Sequence, residues 1–408
     1  MNNSQIKLII PRGHKRTNFI GIVVIITLLL FVTQFYSYVN WPSIVKGRGL
    51  NFVVTAILLI ATINRKKKGV ENFNLLILCL ITWPFLSSFV SLSIYGQPLI
   101  DSFRVLVPNL MWLFYFVLNR YHFQEKTVIM ALLVYSIGML LIMVIQQFTY
   151  PTAYFGIFND DQMLENGYSE SAYQRNSIYR FLMHQNGYTA VPVLLFYLNV
   201  LKYRFSAKNL IIVIMMLVAV YMSLTRQVIA STAFVVLLSV LINKKGKIKV
   251  SYLLIISALV AIIYAYSNLL FEEMVESTDS DLQEDYIRFQ AYAFYWYQAT
   301  ENIWTIIAGH GLAASGYFQF LFNHWQEDLK LYSCDVGIIG IWFHYGIIYV
   351  FLYLYSLYLI FKYRKHIPLY VILFVVFAGL MSIMIFPFWI TPKYYLVWTM
   401  IFYISILS

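Results

Sequence analysis

The chain has 408 residues, of which 61% are hydrophobic and only 12% charged, and its formal net charge is +11. Apolar runs of spanning length recur from Phe19 to the C-terminus, which excludes a soluble globular enzyme and points to an all-α, polytopic integral membrane protein forming one domain over residues 1–408. Cys79 lies in an apolar run and Cys334 at the end of a polar loop, so no disulfide framework is expected.

In chain order, hydropathy predicts about twelve spans, near 19–38, 46–63, 74–94, 101–119, 127–147, 184–201, 209–224, 227–243, 250–267, 335–361, 367–386 and 391–407. The first follows Lys7, Arg12, Lys15 and Arg16 and has no small-residue cleavage pattern after it, so it reads as a retained anchor. An even number of spans puts both termini on one side. The N-terminus and the loops at 64–74, 119–127, 202–208, 243–249 and 361–366 hold 20 of the 29 basic residues, which makes that side cytoplasmic. The basic balance is therefore a topology signal and implies no nucleic-acid partner.

Two external loops exceed connector length, 148–183 and 268–334. The first is polar and Tyr-rich; Arg175 and Arg180 are solvated loop residues or contacts to diphosphate or acidic sugar, and Asp160-Asp161 reads equally as a solvated turn or a metal-type acidic pair. The second begins acidic, then changes to YIRFQAYAFYWYQATENIWTIIAG. Its aromatic and small residues at three- and four-residue spacing predict an interfacial helix. On that helix Arg288, Tyr292, Tyr295 and Ala299 share one face.

The stretch 209–242 is apolar except for Arg226 at its middle, within Ser-Leu-Thr-Arg-Gln. A continuous helix there would be roughly 50 Å long against a hydrocarbon core of about 30 Å, so the chain is expected to turn back at Ser223–Gln227. Arg226 then sits at or just below a membrane surface, where an unpaired guanidinium is costly. It either snorkels to lipid headgroups or meets an anion. Arg104, three residues after Asp101, pairs locally or binds substrate. Lys393, after Pro387 and Pro392, anchors the last helix or binds substrate.

The Arg226 hairpin, Arg288 followed by aromatic-x2-Tyr-Trp, the Gly309-His310-Gly311 turn, Cys-Asp335-x-Gly337 and His344-Tyr-Gly346 together resemble the O-antigen polymerase and ligase superfamily over residues 209–360. The resemblance implies a glycosyltransferase acting on polyprenyl-diphosphate-linked oligosaccharide at the external face of the bacterial cytoplasmic membrane. Its implied partners are membrane lipids, a flippase and a chain-length regulator. Transfer breaks a C1–O–P bond, so charge grows on a departing diphosphate, and paired arginines match phosphate oxygens as planar forks. Arg226 and Arg288 are the candidates for that clamp.

The acceptor hydroxyl loses a proton, so a base is expected nearby. Ligases of the superfamily carry a His near the end of the long loop, where this chain has Asp335. Asp335 is thus the candidate base, with helix capping as its plain alternative. This departure favours a polymerase over a ligase. His324 comes earlier in the loop, and His344 lies about 13 Å further down the helix, deep for a surface reaction. Gly309, His310 and Gly311 are expected to form a turn, with backbone N–H groups able to approach phosphate. Asp279-Ser-Asp281 has the Asp-x-Asp spacing of metal-binding glycosyltransferases, but an arginine clamp needs no metal, and no cofactor is expected. A transporter for lipid-linked oligosaccharide is the alternative of a different class.

Overall fold

The computed structural model describes residues 19–32, 56–61, 71–149, 174–175, 178–179, 186–223, 225–242, 287–384 and 392–407. The predicted span at 250–267, Asp160, Asp161, Arg180, Asp279 and Asp281 lie outside them. The described chain is helical apart from one short antiparallel pairing. Four helices are long and apolar enough to cross a membrane: Phe73–Tyr95, Leu99–Tyr121, Glu125–Thr149 and Gly337–Lys362. Shorter apolar helices accompany them, including Phe19–Leu30, Leu369–Ser382 and Tyr395–Leu407.

The elements are α1 (Phe19–Val32), α2 (Glu71–Tyr95), α3 (Leu99–Leu106), a 3-10 segment Val107–Leu113, α4 (Phe114–Tyr121) and α5 (Glu125–Thr149). Then come α6 (Asn186–Tyr203), α7 (Ala207–Tyr221), α8 (Arg226–Leu241), α9 (Ile287–Thr300), α10 (Ile303–Ala308) and α11 (Gly316–Asn323). The last three are α12 (Gly337–Lys362), α13 (Leu369–Met384) and α14 (Pro392–Leu407). Between α5 and α6, β1 (Gln174–Arg175) pairs with β2 (Ile178–Tyr179). A polar loop was expected there, and the two-residue strands are the difference.

Proline and polar side chains shape the bundle. Pro84 lies inside α2 and removes an N–H, which frees the carbonyls one turn back. Asn109, buried in the 3-10 segment, donates from Nδ2 to Leu80 O at 3.1 Å and to Ile81 O at 3.0 Å, so the kinked helix is capped from its neighbour. At the other end of the bundle the Lys202 ammonium donates to the carbonyls of Ser239 and Ile242, the latter at 3.0 Å, and closes the C-terminus of α8. A cation suits the negative end of a helix.

The expected hairpin at Arg226 is present. α7 stops at Tyr221 and α8 starts at Arg226, with Thr225 extended between them (φ −95°, ψ 104°). Ser223 Oγ donates to Val220 O at 2.6 Å and Thr225 Oγ1 to Ser223 O at 3.1 Å, so the turn satisfies its own backbone. At 15 and 16 residues, both helices are about 23 Å long, shorter than a hydrocarbon core. α8 packs on α13, where Gln227 Nε2 donates to Leu380 O and Met381 O, each at 3.2 Å.

Large apolar side chains stay exposed on outward faces, among them Phe89 (51%), Phe148 (86%) and Phe351 (61%). Their exposure on long apolar helices fits a lipid-facing surface.

Candidate functional site

Helix α12 is broken. Gly346 adopts φ 76°, ψ 173° inside it, a conformation open to glycine, and the break leaves carbonyls of the preceding turn without helical partners. Other parts of the chain supply those partners. His310 N–H donates to Phe343 O at 2.7 Å, Gly311 N–H to His344 O at 2.8 Å, and the Trp83 indole N–H of α2 to Tyr345 O at 2.7 Å. The approach is so close that a Cβ on Gly309 would fall 2.5 Å from the backbone nitrogen of Gly346. A Cβ on Gly346 would in turn strike Ile307 O. The carbonyls of Phe343, His344 and Tyr345 keep hydrogen-bond partners within the protein although the helix is broken.

Two buried histidines lock this junction. His310 places Nε2 2.9 Å from Gln298 O and Nδ1 2.6 Å from the Tyr95 hydroxyl. A carbonyl only accepts, so Nε2 carries the proton and Tyr95 donates to Nδ1. His344 places Nδ1 3.0 Å from Gly311 O and Nε2 3.1 Å from Ser333 Oγ. By the same reasoning Nδ1 donates to the carbonyl and Nε2 accepts from the serine. Both imidazoles are thereby neutral and fully engaged. Burial pushes the His310 pKa down to about 4, against the opposing effect of the Gln298 carbonyl.

Further polar groups hold the incoming loop. Ser91 Oγ donates to His310 O. Gln97, 1% exposed, donates to Leu312 O at 2.9 Å and accepts from Ala314 N at 2.8 Å. Ser315 Oγ donates to Asp101 Oδ2 at 2.7 Å. The rings of Tyr95 and Phe318 stack at 4.0 Å.

A second constellation lies where α9 crosses the start of α12. The predicted helix is present, but its buried face is Ala291, Tyr295 and Ala299, with Tyr292 half-buried and Arg288 exposed; Tyr295 sits edge-on to Phe343 at 4.9 Å and donates to Leu331 O at 2.8 Å. This seats α9 against the 3-10 turn Ser333–Asp335 that precedes α12. Burial raises the Tyr292 pKa; Arg288 opposes that rise and Asp335 adds to it. The Cys334 thiol is pushed up to about 12 by burial and then by Asp335, with Arg288 acting the other way. A guanidinium and a carboxylate thus act on the same two side chains at the head of α12. Arg288 is exposed and Asp335 half-buried, so both face accessible space.

Each candidate residue has a definite place. Helix α12 begins from Val336, and Asp335 Oδ1 takes the Cys334 thiol at 3.8 Å. Gly309, His310 and Gly311 form the expected turn: the Gly309 N–H closes α10 at Thr305 O, and the N–H groups of His310 and Gly311 go to Phe343 O and His344 O at the break in α12. Arg104 is exposed on α3, and its expected partner Asp101 is taken up by Ser315. His324 pairs with Asp328 at 2.6 Å within the turn after α11. Arg226, Arg175 and Lys393 are described by backbone alone: the first residue of α8, a β1 residue and the second residue of α14. Among the described residues no group of three His, Cys, Asp or Glu has the arrangement of a metal site.

Sequence reasoning missed Trp83, Ser91, Gln97 and Ser333. Ser91 and Gln97 show only as polar residues near the end of an apolar run, Trp83 lies within that run and Ser333 within a polar loop, and no local pattern marks any of them. Comparison with protein-family models and with curated proteins gives no match.

Proposed function

We propose that this protein polymerises polyprenyl-diphosphate-linked oligosaccharide repeats into a surface polysaccharide at the external face of the bacterial cytoplasmic membrane, with both termini cytoplasmic. The observation that carries the reading is that α9, which carries Arg288, packs on the turn that carries Asp335, and that both groups act on Tyr292 and Cys334 there. One supplies a fixed cation and the other a carboxylate, the two charges that glycosyl transfer from a diphosphate requires.

In this reading the hydroxyl oxygen of the lipid-linked acceptor attacks the anomeric carbon of the donor. The C1–O bond to phosphorus breaks, and its electron pair leaves with the polyprenyl diphosphate. Asp335 receives the hydroxyl proton. Arg288 meets the charge that grows on the departing phosphate, and Arg226, first residue of the recessed hairpin helix, is its proposed partner in the clamp. The family resemblance of residues 209–360 supports the same assignment.

The test is purified protein in liposomes with a single lipid-linked repeat as the only substrate. A ladder of longer lipid-linked products is expected. Strict need for a different acceptor replaces polymerase with ligase. One observation favours a second reading, transport of lipid-linked oligosaccharide: a helix broken at Gly346 is the kind of element that lines transporter sites. Lipid-linked repeats retained on the cytoplasmic face of a deletion strain would favour it.

A further inference from the structure

The candidate base sits on a short turn whose position is set from below by a buried imidazole. Ser333 opens that turn, is 2% exposed, and donates its hydroxyl to Nε2 of His344 at 3.1 Å. The opposite ring nitrogen of His344 donates to Gly311 O at 3.0 Å, and Gly311 N–H donates back to His344 O. Gly340 leaves just enough room for the Ser333 carbonyl, which a Cβ there would strike. The imidazole therefore joins two things: the stitched break inside α12 and the turn that ends in Asp335.

We infer that His344 is a positioning residue, which through its hydrogen bond with Ser333 holds the Ser333–Asp335 turn so that the Asp335 carboxylate meets the acceptor hydroxyl. The inference rests on the proposed role of Asp335 and adds a task for a histidine that is too buried, at 2% exposure, to touch substrate. In the transfer itself the proton still passes from the acceptor oxygen to Asp335, and His344 gains and loses none. Its two bonds are separable by chemistry. A glutamine places an acceptor oxygen near the Nε2 position and can still receive Ser333. An asparagine places a donor nitrogen near the Nδ1 position and keeps only the bond to Gly311 O.

The experiment uses full-length protein in liposomes in a Cys79→Ser background, which leaves Cys334 as the one thiol. Two quantities are read on each variant: the rate of Cys334 alkylation by a maleimide, and the rate of chain extension from a lipid-linked repeat. Ser333→Ala and His344→Asn are expected to raise the alkylation rate several-fold and to slow extension about tenfold or more, since small misplacements of a catalytic group are expensive. His344→Gln is expected to stay within about threefold of the parent in both, because the serine bond survives. Unchanged Cys334 reactivity in Ser333→Ala, or a glutamine variant as slow as the asparagine one, overturns the positioning role and leaves the polymerase reading standing. Faster alkylation with unchanged extension overturns the role of Asp335 itself. Should the His344 variants fail to fold, Ser333→Ala, which removes one oxygen, still decides between these outcomes.

Discussion

Two polar regions among the described residues are built on opposite principles. At Gly309–Gly311 and Gly346 the polar groups are buried, neutral and paired one to one, down to the tautomer of each histidine. At Arg288 and Asp335, some distance along α12, the groups are charged and face accessible space. Buried polar networks reward full pairing with rigidity, whereas chemistry needs groups whose best partner is the substrate. The first region is a joint, the second is the proposed workplace, and Ser333 connects them.

Substitutions can break that contrast, and the joint should fail hardest. Gly346→Val adds bulk onto Ile307 O at a positive φ, and the expected result is loss of folded protein, read as membrane yield and as a collapsed gel-filtration peak in detergent. Arg288→Ala should do the opposite. Its exposed side chain carries little stability, so thermal melting should stay within about 2 °C while chain extension falls about 100-fold. An Arg288→Ala protein that extends chains normally would remove it from the workplace.

Asn109→Ala tests the same pairing logic far from either region. It strips the donor from two carbonyls freed by Pro84 and should cost about 1–3 kcal/mol in unfolding free energy, measurable as an earlier denaturant midpoint. Acid sharpens the contrast more gently. An unfolded histidine binds its proton near pH 6.5, and folded His310 only near 4. Between those values the unfolded chain holds more protons, so stability should fall as pH drops from about 6.5 towards 4. Hydrogen exchange at residues 309–311 should quicken over that window, and a flat profile would contradict the neutral tautomer assigned to His310. Smallest of all, Arg104→Ala should alter extension by less than about twofold, because the Arg104 side chain is solvent-exposed and Asp101 is already bound by Ser315.

Spans such as α2, α5 and α12 were legible because length and apolarity alone define a helix that must satisfy its own backbone in lipid. The hairpin at Arg226 was legible for the same reason, as a stretch too long to cross once. The helix at Ile287–Thr300 followed from three- and four-residue spacing, while its buried face includes Ala291 in place of the expected Arg288 and Tyr292. What sequence could not show is who caps whom. The link from His310 to Phe343 spans 33 residues, and that from Trp83 to Tyr345 spans 262. No local pattern encodes such pairings, because any donor brought close by packing would serve. Thus the Gly-His-Gly turn was legible as a turn, but not the use of its His310 and Gly311 N–H groups at a break in α12.

The most direct test of the account is chain extension by purified protein in liposomes supplied with one lipid-linked repeat, comparing wild type with Arg226→Ala and Arg288→Ala at equal folded amounts. The account predicts a ladder of lengthening products from wild type and almost none from either variant, with both variants melting like wild type. A ladder unchanged by both substitutions, or no extension by wild type with authentic substrate, would contradict it.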